Sequence, residues 1–262
     1  MAISITIDPV KSASTADYFS AARRVAGAET WASILTGVGT STSFGTEVSL
    51  RSDFDETNRW DRMETVDLAF DLREYSLLTI TAASLDISVR RSGSSFWATD
   101  ALNGVAICGQ RETVRGVGLA TANYHEIYQG ALAGTEYTTS RILDADVTPG
   151  TTSTVTKTVN ATGLTYLNSV VEKANLMGYA FMGLVFGAVV DVATPTWASG
   201  GYSQSWGVFD VSLNLTATAP VQVNIGDTWK SVASAKISVS GVAWSYVNDV
   251  QINIGDTWKE IR

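Results

Sequence analysis

The side chains that could do chemistry are few. His125 is the one histidine among 262 residues, so a multi-histidine metal centre lacks donors and a Ser-His-Asp arrangement would depend on a single imidazole. Its neighbours Tyr124 and Glu126 form no nucleophile motif, and the sequence contains no Gly-x-Ser-x-Gly elbow. Gly37-Val38-Gly39 lacks the lysine and the strand-turn-helix setting of a phosphate loop. Carboxylates are left. Asp53, Asp55, Asp61 and Glu64 lie close together, and glycoside hydrolysis needs only two such groups at a suitable separation. Any acidic loop would offer them, so no catalytic residue is assigned and the chain is expected not to be an enzyme. Asp53 and Asp55, with Glu56 and Asn58 close behind, also supply the hard oxygen donors that calcium requires. Asp144 and Asp146 repeat the spacing. Neither run completes the twelve-residue calcium loop with its closing glutamate, so solvated loop charge is the plainer reading, calcium the alternative, and no other cofactor is implied.

Aromatic rings are the remaining chemistry. Trp197, Tyr202 and Trp206 lie in and beside a Gly- and Ser-rich stretch, residues 198–205, and flat rings on loops stack on sugars or on another protein. These three are the glycan-binding candidates; Trp60 and Trp97 keep similar polar company. Exposed together, such rings would form a glycan surface or a subunit contact. Buried, they belong to the core.

The elements that must position these residues are strands. Ile3, Ile5 and Ile7 alternate before Pro9, as do Val66, Leu68, Phe70 and Leu72, then Leu85, Ile87 and Val89, and finally Phe209, Val211, Leu213 and Leu215. Each run predicts a strand with one buried and one exposed face, as in an antiparallel β-sandwich. One short helix is predicted from Leu164, Leu167, Val171 and Ala174, starting at Asn160 or Thr162 and followed by Gly178; it would cover an open end of the sandwich. The apolar stretch from Leu176 to Val190 is interrupted by three glycines and is too short for a membrane span. Buried strand suits it better.

The C-terminus is repetitive. Val221-Gln222-Val223-Asn224-Ile225-Gly226-Asp227-Thr228-Trp229-Lys230 returns as Val250 to Lys259 with only Val223 replaced, by Ile252. A degenerate copy between them keeps Ile237-Ser238-Val239, Gly241 and Trp244. The tryptophans Trp229, Trp244 and Trp258 are 15 and then 14 residues apart, which suits one β-hairpin per unit. Gly226-Asp227-Thr228 supplies the turn. A three-residue loop would pair Ile225 with Trp229, and a two-residue register stays open. Such ribbons bury little alone, so Trp229, Trp244, Trp258, Ile225 and Ile254 are expected to serve attachment or oligomerisation, against the alternative that the indoles pack back on their own chain. Pro220 marks the boundary, giving a β-sandwich over 1–219 and a three-hairpin module over 220–262.

Composition excludes some partners. Lys and Arg total 18 against 26 Asp and Glu, a formal net charge of -8. That disfavours nucleic acid, which needs a basic face, and an anionic membrane; no membrane insertion is expected. The single Cys108 allows no intrachain disulfide and is expected to be a small buried hydrophobe. Met1 to Lys11 has neither a basic leader nor an apolar core of signal-peptide length.

Residues 1–219 carry Glu29-Thr30-Trp31-Ala32-Ser33-Ile34, then Arg62 to Leu72 ending in Phe70-Asp71-Leu72, then Ile80-Thr81-Ala82-Ala83-Ser84-Leu85, and Asp191 to Trp197 near the end. This resembles the DNRLRE-type β-sandwich domains, most closely the version among bacteriophage structural genes. There an arginine precedes a strand ending in Phe-Asp, and the next strand begins Ile-x-x-Ala-x-Leu. Leu72-Arg73-Glu74 departs from the Thr-Ser turn usual in the family. The C-terminal repeat resembles the Val-Asn-Ile-Gly-x-x-Trp-Lys hairpins at the ends of many phage virion proteins. The resemblance implies a jelly-roll-like sandwich on the virion surface, in the tail or fibre or as a capsid decoration, made in the host cytoplasm and assembled with itself or with other virion proteins. A carbohydrate-binding module that recognises host-surface glycans is the alternative.

Overall fold

The computed structural model describes residues 2–10, 18–45, 47–54, 60–76, 78–91, 104–109, 128, 132, 134–172, 178–194 and 203–218, and, in the C-terminal segment, 221–225, 228–232, 236–237, 245–246, 250–254 and 257–261. Ten strands join in one antiparallel sheet that curls into a half-barrel. Its main path runs β8 (Thr152–Thr158), β6 (Thr79–Arg91), β10 (Ser203–Thr218), β4 (Val48–Phe54), β5 (Trp60–Asp71), β9 (Tyr179–Phe186) and β7 (Val105–Gly109). β1 (Ala2–Ile7) lies along the far half of β10, while β2 (Tyr18–Glu29) and β3 (Ser41–Gly45) extend from the other edge of β5. The mostly antiparallel-β expectation holds. In place of two hydrogen-bonded sheets, however, the pairing is continuous, because long strands serve two neighbours on one edge: β10 gives Ser203–Val208 to β4 and Leu213–Thr218 to β1.

The two margins of the curl, β7 and β8, are bridged by residues 135–142, here termed the strap. On one side Tyr137 N–H donates to the Ile107 carbonyl at 2.7 Å, and Ile142 and Val105 exchange both backbone bonds at 2.8 and 2.9 Å. On the other, Thr139 N–H donates to Thr158 O at 2.9 Å and Asn160 N–H donates to Tyr137 O at 2.8 Å. Strand margins that would otherwise be open edges are thereby covered from within the chain.

The alternation read from sequence sets the core. Leu85, Ile87 and Val89 of β6, Val66, Leu68 and Phe70 of β5, and Val211, Leu213 and Leu215 of β10 are buried in one cluster. β9 and β7 are buried along their whole lengths, so buried strand holds for Tyr179–Phe186 of the apolar stretch, while Gly187–Val190 turns helical. Among the described residues no helix is long and apolar enough to cross a membrane.

The expected helix forms as α2 (Ala161–Glu172, following α1 at Trp31–Thr36), burying Gly163, Leu167, Val170 and Val171 against β6 and β9. Asn160 caps it, its Oδ1 accepting from Gly163 N–H at 2.9 Å. Gly178, placed after the helix, has φ 59, a left-handed conformation that favours glycine. The alternation does not point to α1, whose cap Thr30 accepts from Ser33 N–H at 3.2 Å, nor to α3 (Gly187–Val190). The Leu72-Arg73-Glu74 run opens a 3-10 turn over Arg73–Tyr75, where Asp71 accepts from both the backbone and the guanidinium of Arg73.

Candidate functional site

The aromatic candidates divide. Trp206 has no exposed surface; it belongs to β10, on rungs with Leu50 of β4 and Arg91 of β6. A ring with no open face has nothing to offer a sugar, so Trp206 is corrected from glycan candidate to core. Trp60 is likewise buried, 5.1 Å from the Trp31 ring. Trp197, Tyr202, Trp97 and His125 lie outside the described residues.

The carboxylates of the acidic segment face arginines. Glu64, 1% exposed, accepts from the guanidinium of Arg62, from Arg24 at 3.1 Å and from Ser49 Oγ at 2.5 Å. Asp53 stands 2.7 Å from Arg51 Nε and 3.7 Å from Arg62. The two guanidinium groups beside Asp53 weigh against a divalent cation there. Asp55 is outside the described residues. The second Asp-x-Asp run is also engaged by cations: Asp144 pairs with Arg91 at 2.5 Å, and Asp146 accepts from Lys157 Nζ at 2.8 Å and Leu143 N–H at 2.9 Å. Among the described residues no three His, Cys, Asp or Glu side chains gather as metal ligands. Cys108 is buried on β7, as its type suggested, and burial pushes its thiol up to about 12; a thiol so protonated is inert.

The terminal repeats form hairpins. β11 (Val221–Ile225) pairs with β12 (Thr228–Val232), and β15 (Val250–Ile254) with β16 (Thr257–Ile261), each as a separate two-stranded sheet. Both adopt the two-residue register: Ile225 faces Thr228 and Asn224 faces Trp229, while Ile254 faces Thr257 and Asn253 faces Trp258. The three-residue alternative, with Ile225 opposite Trp229, is therefore not the one formed, and indole and isoleucine fall on alternate rungs. In the middle copy β13 (Lys236–Ile237) pairs with β14 (Ser245–Tyr246); Trp244 and Val239 lie outside the described residues.

The concave feature that the sequence did not point to lies between the strap and α2. A shallow depression of about 490 Å³ is lined by Tyr137, Ala161, Thr162, Thr165, Tyr166 and Ser169. The two tyrosine rings stack, centroids 5.0 Å apart and planes 29° from parallel. Tyr166 is fixed by its hydroxyl, which accepts from Phe181 N–H at 2.7 Å. Tyr137 lies over Gly109 of β7, where a Cβ would stand 2.2 Å from its ring. Asn160 holds the helix start to the strap, donating to the carbonyls of Glu136 at 2.9 Å and Thr138 at 3.1 Å. Gly163 allows this approach, since a Cβ there would meet Tyr137 O at 2.8 Å. The one sequence signal was a row of hydroxyls, Thr162, Thr165 and Ser169, at three- and four-residue steps. No protein-family model matches this chain, and no curated protein does.

Proposed function

We propose that the chain is a non-enzymatic structural protein of a bacteriophage virion, displayed at the particle surface in the tail or adhesion apparatus or as a capsid decoration, and attached or oligomerised through its C-terminal hairpins. The observation that carries this reading is the duplicated ribbon, whose two near-identical copies adopt the same register. A two-stranded ribbon in water is marginal, and among the described residues neither ribbon has a third strand. Neighbouring chains, copies of this one or other virion proteins, would supply the missing cover. The curled sheet supports the role of display domain: its core runs in one cluster from Ile7 to Leu215 and uses no disulfide. The finer description as a jelly-roll-like sandwich draws support from two strand groups, β8-β6-β10 and β5-β9-β7, that share this core. The resemblance to phage DNRLRE-type domains and phage terminal hairpins supplies the setting.

Light scattering on the full chain and on a chain ending at Ala219 tests the proposal. The full chain is expected to associate and the shortened one to run as a single copy; a full chain that stays single and fails to bind particles lacking it would overturn the attachment role.

A further inference from the structure

We propose that the outer edge of β8 receives β11 from a second copy of this chain as an added strand. This docking rests on the reading of the ribbons as association elements and gives them a seat. The Thr158 carbonyl points away from β6, accepting from Thr139 of the strap, so by alternation the backbone groups of Thr152, Thr154 and Thr156 face outward as well. Among the described residues no strand pairs with them. Nor is the edge guarded. Its ladder with β6 runs from Thr152 to Thr158 without a bulge, it holds no proline, and its one charged residue, Lys157, is buried with Nζ 2.8 Å from Asp146. Bulges, prolines and outward lysines are what keep such edges from pairing. Ser153 and Val155, on the core face of β8, are only half-buried, so the core is thinly covered at this margin.

The ribbon matches the edge in length and in phase. β11 has five residues, as does the span Thr152 to Thr156 that the strap leaves open. A two-residue hairpin closes on a hydrogen-bonded pair, here Ile225 and Thr228, so Val223 and Val221 also bond inward to β12 while Gln222 and Asn224 turn their backbone groups outward. Opposite residues of paired strands share a face. Bonding Gln222 and Asn224 to the outward threonines therefore sets the amide row of β11 beside the exposed threonines, and sets Val221, Val223 and Ile225 beside Ser153 and Val155 on the core face. Docking through β12 would bring Lys230 to that face instead. The donor has to be another copy. Thr218 lies beside Thr79 and Thr154 beside Ser88, levels about 30 Å apart along β6 at about 3.3 Å per residue, whereas chain extended from Thr218 to Val223 covers at most about 18 Å. Each copy thus gives a ribbon and takes one, a head-to-tail contact.

Hydrogen exchange and light scattering on the full chain test the docking. On association the amides of Thr154 and Thr156 are expected to exchange at least about tenfold more slowly than in the dilute single chain. Thr154→Pro removes an outward N–H while sparing the ladder with β6, and Asn224→Pro combined with Asn253→Pro does the same to β11 and its copy β15. Each variant alone is expected to associate about tenfold or more weakly, whereas an equal mixture of the two should pair, one lending its ribbon and the other its edge. The proposal is overturned if Thr154 and Thr156 exchange as fast in the associated protein as in the dilute one, if Thr154→Pro associates as the natural protein does, or if the mixture stays single; association of the natural chain would then still stand, through another surface. A full chain that stays single at every concentration also overturns it, and binding to particles then decides the attachment reading separately.

Discussion

Asn168 takes the place of a strand. β6 pairs with β8 only from Ser84 onward, which leaves the backbone of Ile80 without a neighbour on that side. The Asn168 amide, reaching over from α2, accepts from Ile80 N–H at 2.8 Å and donates to Ile80 O at 2.9 Å. Asn168→Ala is expected to cost about 1–3 kcal/mol, because a buried donor and acceptor lose their partner together, and denaturant unfolding will measure it. Asn168→Asp keeps the acceptor but sets a carboxylate against the Ile80 and Leu164 carbonyls, and at neutral pH is expected to cost at least as much as the alanine. Such a role was not legible in the sequence: an asparagine in a helix pattern reads as solvated until the end of β6 is placed against it. Trp206 was misread for a related reason. Glycine and serine around it suggested a loop, whereas pairing with β4 and β6 decides strand identity there, and β-propensity yields to such context.

At the scale of elements, alternation found β1, β5, β6 and β10 but misplaced one ring. The pairing of β10 with β6 shifts between Val208 and Asp210, so Phe209 is the extra residue of a bulge and leaves the phase of Val211, Leu213 and Leu215. Its ring instead lies 4.8 Å from the Arg90 guanidinium. The strap was invisible for the opposite reason: Thr135 to Ile142 has no period, and its bonds to both margins come from tertiary placement. Arg141 anchors it, reaching Asp191 at 2.6 and 2.8 Å and Glu136 at 3.3 Å. The same grip steadies the end of α3, where Val192, a β-branched residue 83% exposed, is held at φ 52, a conformation costly to such side chains. Arg141→Ala should therefore speed amide exchange at Tyr137, Thr139 and Ile142 by about tenfold while sparing the β6–β10 ladder. The Arg141 hydrogen bonds hold the Asp191 carboxyl below the ordinary aspartate value of 3.8. A carboxyl depressed in the folded state stabilises fully above about pH 4 and loses that contribution as pH falls through its native value. Melting temperatures of natural protein and variant should thus converge below about pH 4.

For the whole molecule, a boundary at Pro220, as expected from the sequence, would divide the curled sheet from the two-stranded ribbons. If the two units are independent, a chain ending at Ala219 keeps the cooperative unfolding of the curled sheet, with its free energy within about 0.5 kcal/mol of the full chain at low concentration; calorimetry will show it. The antiparallel-β class and the hairpin array were legible because both leave short-period marks. The continuous sheet was not, because nothing local distinguishes one curled sheet from two stacked ones. The pairing of β1 with β10 also orders events in time. Ala2 meets Thr218, so β1 waits for its partner until almost the entire sheet has been made. At about 5–20 residues per second that delay is roughly 10–40 s, during which a nascent strand rich in isoleucine stays unpaired and within reach of chaperones. The ribbons follow β10 in the chain, so any association through them would come after the strands of the sheet have been made.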